Sequence, residues 1–204
     1  MDNGVRWLAE TPWYFSVTFV RGISAPELGT RLGADPAAAP AVATAREIEG
    51  LLADPNIGIA RLGDAGGWAF AVEYGESRGT QRAVLRQLSR AGGQAVNLDP
   101  QAGHPPSMFS CAGDGELLCS FGIGEESRRW GSSPDLLKPA LETAGVLSAD
   151  GSALAAGTQR QAQRAAMSLG VIGQYFGLSL PRALVEGGRL PTVVVSGRAD
   201  LGAL

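Results

Sequence analysis

Few side chains in this 204-residue sequence are equipped for acid–base or nucleophilic chemistry, and they do not cluster. His104 is the single histidine, the one residue whose ordinary pKa lies near neutrality. It precedes Pro105-Pro106 in an extended or turned segment, with no neighbouring Ser, Cys or carboxylate spaced as a triad, and reads as a loop histidine. Two cysteines, Cys111 and Cys119, complete an inventory too thin for a Cys/His zinc site. They flank Asp114-Gly115, the strongest hairpin signal in the chain. A two-residue turn there sets Cys111 opposite Leu118 and Cys119 opposite Ser110, with the thiols on opposite faces of the sheet; a bulge would alter that pairing. Buried, reduced thiols are the expectation. Gly63 to Gly67 and Gly122-Ile123-Gly124 lack the spacing and strand-to-helix context of phosphate loops. The sequence therefore predicts no catalytic residues, no metal and no cofactor.

Contact chemistry has more candidates. In Trp68-Ala69-Phe70-Ala71-Val72-Glu73, bulky and small residues alternate, so Glu73 ends the small face of a strand. A half-buried carboxylate there wants a partner, and Arg21, at the end of another apolar strand, is the natural one. That pair is either a structural ion pair or the polar anchor of a groove left by the alanines. Arg128-Arg129-Trp130 precedes a helix start, where Arg129 and Trp130 are candidates for ligand or partner contact. Arg82, Arg86 and Arg90, spaced by four, form a basic helix face. No aromatics interleave with them, so a solvated face outweighs a nucleic-acid contact.

The elements that must hold these residues follow from pattern. Trp13 to Val20 is dense in aromatic and β-branched residues and predicts a strand. Ser24-Ala25-Pro26-Glu27 and Thr44-Ala45-Arg46-Glu47 are capping boxes that open short helices. Ile57–Leu62 and Trp68–Tyr74 predict a hairpin across Gly63–Gly67; Met108–Ala112 and Glu116–Phe121 predict a second. Thr80 is placed to cap a helix carrying Val84, Leu85 and Leu88, and Ala95–Leu98 is a short strand. Ser133 and Pro134 open a helix that Pro139 bends or shortens. Gln159 to Phe176 is a long helix, and Val193-Val194-Val195 offers a last strand. The fold class is α+β: a mostly antiparallel sheet of about six strands with helices on one face. Residues 1–147 are expected as the core domain and 148–204 as a C-terminal helical extension packed on it.

Composition bounds the partners. Net charge is −3, giving no bias towards nucleic acid or anionic lipid. Apolar residues make up 45% of the chain and charged residues only 18%, yet no apolar run reaches the ~18 residues of a membrane span. No basic-then-apolar leader opens the sequence, so the expectation is a cytoplasmic protein. Lys138 is the single lysine, a composition typical of GC-rich genomes.

Tyr14 to Gly22, Pro26-Glu27-Leu28, Arg31-Leu32-Gly33, Gly67-Trp68-Ala69 with Glu73, Leu88-Ser89, Phe109, Asp114-Gly115 and Arg129-Trp130-Gly131 to Leu136 together resemble a family of uncharacterised proteins from Streptomyces and related actinobacteria. The likeness covers most of residues 7–147. It implies no activity or catalytic residue; it implies a place among bacterial immunity and conflict genes. The functional expectation is a cytoplasmic, non-enzymatic module that binds a protein partner. The alternative is a small-molecule binder or unusual enzyme with a pocket near Glu73 and Arg129.

Overall fold

The computed structural model describes residues 4–10, 13–35, 41–54, 57–101, 105–153 and 161–195. In chain order the elements are β1 (Ser16–Arg21), α1 (Ala25–Arg31), β2 (Ala41–Val42), α2 (Ala45–Leu51), β3 (Gly58–Ala65), β4 (Trp68–Gly75), α3 (Arg82–Leu88), β5 (Gln94–Asp99), β6 (Met108–Gly113), β7 (Glu116–Gly122), β8 (Arg129–Trp130), α4 (Lys138–Thr143), α5 (Gln161–Phe176), α6 (Arg182–Glu186) and β9 (Pro191–Val195). Short 3-10 turns cover Arg6–Ala9 and Arg78–Thr80. One sheet runs β2-β9-β3-β4-β1-β5-β6-β7-β8, and every pairing in it is antiparallel. It has nine strands rather than about six. The surplus includes β2 and β8, of two residues each, too short for an alternating pattern to mark.

Helices cover both faces of this sheet, where the hairpin pattern suggested one. On one face Val17, Phe19, Trp68, Phe70, Phe109 and Phe121 pack with Leu141 of α4, Ile172 and Phe176 of α5 and Val185 of α6. On the other, Val20, Ala60, Leu62, Ala69, Ala71 and Ala95 pack with Leu28 of α1 and Val84, Leu85 and Leu88 of α3. The small residues on that second face are what let a helix layer lie close. With apolar side chains buried in both directions, central strands such as β1 lose the inside/outside alternation of a one-sided sheet.

Turn chemistry sets the register. Gly66 and Gly67, at φ +61° and +80°, join β3 to β4 in a two-residue turn, so the strands run longer and the loop shorter than the glycine cluster suggested. Gly63 stays in the strand because Phe70 occupies the space of a side chain: a Cβ there would stand 2.9 Å from Phe70 Cε1. Both capping boxes form their Ncap-to-N3 bond, and that of Thr44 and Glu47 is reciprocal. Two helix starts move. Thr80 closes the 3-10 turn by donating to Ser77 O, and α3 begins two residues later behind Gln81. α4 begins at Lys138 instead of behind Ser133, which puts Pro139 in the first turn, where its missing N–H costs nothing.

The C-terminal part is helical only in part. α5 and α6 pack on the first face, and β9 then enters the sheet between β2 and β3. Residues 148–153, at the start of the expected C-terminal extension, include a turn in which Ser148 Oγ donates to Asp150. Among the described residues, no helix is long and apolar enough to cross a membrane.

Candidate functional site

Glu73 is a buried carboxylate held from several sides. β4 carries it into register with Ser16 on β1 and Ala60 on β3, and it is 2% exposed. Oε1 accepts from Thr18 Oγ1 at 2.6 Å; Oε2 accepts from the backbone N–H groups of Arg78 at 2.7 Å and Gly79 at 3.1 Å. Asn97 Nδ2 on β5 donates to Thr18 Oγ1 at 3.0 Å, extending the network across the sheet. Burial raises the Glu73 pKa above the ordinary carboxylate value; its three hydrogen bonds oppose that and the nearby Asp99 adds to it. The carboxylate fastens the 3-10 turn Arg78–Thr80 to the sheet.

Arg21 does not pair with Glu73. It lies at the opposite end of β1, beside Trp68, which heads β4. Its guanidinium stacks 4.6 Å from the Trp68 ring centroid, and Nη2 donates to Phe176 O at 3.2 Å. Trp68 Nε1 donates to the same carbonyl at 3.1 Å. Phe176 is the last residue of α5, so an arginine and an indole together satisfy a carbonyl at the negative end of that helix.

Arg129 is likewise committed. Nε and Nη2 both lie 2.6 Å from Asp135 Oδ1, while Nη1 donates to Glu126 O and Gly151 O. Arg129 pairs with Phe121 and shares its face, whereas Glu73 belongs with Ala69 and Ala71 on the other. The two anchors expected to share one pocket stand on opposite sides of the sheet. Trp130 pairs with Ser120 and is 38% exposed on the edge strand. Of the basic row, Arg82 and Arg86 lie on α3, but Arg90 falls beyond Ser89, the C-cap. Arg86 Nε donates to Gly115 O at 2.8 Å and docks α3 on the β6–β7 turn.

The cysteines depart from expectation in register. A bulge between Cys111 and Ala112 leaves Ala112 opposite Leu117 and sets Cys111 directly opposite Cys119. Both thiols are free and buried on one face. Burial pushes Cys111 up to about 12 and Cys119 up to about 11. They are poor nucleophiles. His104 lies outside the described residues.

Two buried ionic centres gave no sequence signal. Arg61 is 5% exposed on β3; it donates to Val185 O and Ala43 O and faces the Tyr74 ring, joining α6 and the segment before α2 to the sheet. Glu126 is fully buried, accepting from Gly124 N and Ser168 Oγ with Arg164 3.7 Å away. Val185, a partner of Arg61, and Ser168, a partner of Glu126, are distant in sequence.

Open grooves lie on the surface. Between α4 and α5 runs a groove of about 510 Å³ lined by Pro139, Ala140, Thr143, Ala144, Val171, Gln174 and Tyr175. Tyr175 is 46% exposed there. A second, polar groove of about 550 Å³ runs past Arg21, Gln94, Asp114 and Glu116 at the β6–β7 turn. Among the described residues, no group of three or more His, Cys, Asp or Glu side chains is placed to hold a metal.

A family model described as a family of unknown function (DUF6461) covers residues 6–189. No curated protein and no solved structure matches the chain.

Proposed function

Because the chain belongs to DUF6461, a family of unknown function, it takes no activity from its relatives, and we propose that it is a non-enzymatic interaction module that seats a protein partner in the α4–α5 groove. The supporting observation is a contrast. The charged groups best placed for ligand chemistry are committed: Glu73 to Thr18 and the Arg78–Thr80 turn, Arg129 to Asp135 and two carbonyls, Arg21 to Trp68 and Phe176 O. The open groove offers alanines, a proline, a valine and a half-exposed tyrosine. Such a surface suits an apolar or aromatic anchor from another protein, with Thr143 and Gln174 as its polar margin. An actinobacterial setting among immunity or conflict genes belongs to this proposal through the sequence resemblance, and a cytoplasmic location is proposed with it.

The test compares capture by the wild-type chain and by a T143R/Q174R double variant. Both positions are exposed, so the substitutions close the groove with charge and leave the core intact. A stoichiometric partner held by wild type and lost by the variant supports the proposal. Equal capture by both contradicts it.

A further inference from the structure

Arg21, Gln94, Gly113 and Glu116 form one row across the sheet. Arg21 on β1 is in register with Gln94 on β5, Gln94 with Gly113 on β6, and Gly113 with Glu116 on β7. Register partners point to the same face, so the row carries a cation at one end, a carboxylate at the other and no side chain at Gly113. Leu118 Cδ1 lies over Gly113, where a Cβ would stand 3.0 Å from it, and gives the row an apolar floor. The polar groove of about 550 Å³ runs along this row and past Asp114. One wall of it is fixed: Asp114 N donates to Gly93 O at 3.4 Å, and Asp114 Oδ1 accepts from Gly92 N at 3.0 Å.

Both ends of the row carry unneutralised charge. The Trp68 stack and the single bond from Nη2 to Phe176 O hold the Arg21 guanidinium in place, yet among the described residues no carboxylate pairs with it. Glu116, exposed at the start of β7, has no ion pair among them either. Three strand spacings of about 4.8 Å put the two Cα atoms roughly 14 Å apart.

We propose that this groove binds a short zwitterionic peptide, its carboxylate on Arg21 and its ammonium on Glu116, with Gln94 meeting the peptide amides between them. An extended tripeptide is about 10 Å long. A hydrogen bond of about 3 Å at each end brings it to the span of the row. A guanidinium already fixed on an indole loses little freedom on taking up a carboxylate, and its remaining N–H groups offer the forked geometry that a carboxylate matches. The site shares no lining residue with the α4–α5 groove, so neither reading depends on the other.

Titration of the ¹⁵N-labelled full chain with trialanine, N-acetyl-trialanine and trialanine amide tests the site. Trialanine gives saturable shifts of the Gly92, Gly93, Gln94 and Gly113 amides. Either capped peptide binds at least about tenfold more weakly, the worth of one hydrogen bond to a charged group. Glu116→Gln, which removes an exposed carboxylate and no ion pair, weakens trialanine by a similar factor and leaves N-acetyl-trialanine unchanged. No saturable shift at millimolar trialanine, equal binding of a capped peptide, or unaltered trialanine affinity in Glu116→Gln overturns the proposal.

Discussion

Gly79 packs on Thr18 with no room for a side chain: a methyl group on its Cα would overlap Thr18 Oγ1 and press on Glu73 Oε1. Gly79→Ala therefore has to lift the 3-10 turn off the sheet. We expect a loss of about 2–3 kcal/mol, the scale of overpacking in a closed site. Gly50→Ala is the control: it adds a methyl with nothing within 4 Å, inside α2. It should stabilise by about 0.5–1 kcal/mol through helix propensity. Urea midpoints of the two variants should move in opposite directions.

Thr18→Val keeps the shape and removes the hydroxyl that donates to Glu73 and accepts from Asn97. Two buried polar groups lose a partner at once, and a cost of about 2–4 kcal/mol is expected. Asn97→Leu in that background should cost less than in wild type, because the partner hydroxyl has already gone. A double-mutant cycle on thermal or urea unfolding measures that coupling.

The sequence went far on local structure and less far on contacts. Both capping boxes and both hairpins were legible because each depends on residues within a few positions of one another. The Arg21–Glu73 pairing failed because strand direction decides it. In an antiparallel pair Arg21 comes to the Trp68 end of β4 and Ser16 to the Glu73 end, a relation no local pattern encodes. The cysteine register failed for a smaller reason: one unpaired residue beyond the Asp114-Gly115 turn moves Cys119 onto the face of Cys111. Arg61 and Glu126 were invisible because their partners, Val185 and Ser168, lie 124 and 42 residues away.

The cysteines carry a prediction about reactivity and pH. With Cys111 pushed up to about 12 and Cys119 up to about 11, neither thiol alkylates in the folded chain at pH 8, and both alkylate in urea. For each thiol the folded pKa exceeds the ordinary 9.0, so the unfolded chain releases its protons first. Stability from this source is complete below pH 9 and falls as pH rises towards 11. Mass spectrometry of alkylated peptides checks the first point. Urea midpoints of wild type and Cys111→Ala/Cys119→Ala across that range check the second, with the shallower slope in the variant.

Arg129→Lys keeps the charge and loses the fork. Arg129 reaches Asp135 through Nε and Nη2 and two carbonyls through Nη1, a set that one ammonium cannot reproduce. A loss of about 1–3 kcal/mol is expected. Asp135→Asn should cost about 1 kcal/mol or less, because that side chain is 67% exposed. Equal losses in the two variants would mean that the carboxylate, and not the carbonyls, fixes Arg129.

The α4–α5 groove is tested most directly by measuring affinity for the captured partner with two versions of the chain, wild type and T143R/Q174R. The account predicts a fall of at least about 100-fold, roughly 2.7 kcal/mol, as expected when a central anchor loses its pocket, with the unfolding midpoint unchanged. An affinity unaltered by closing the groove, in a variant that is folded, would contradict it.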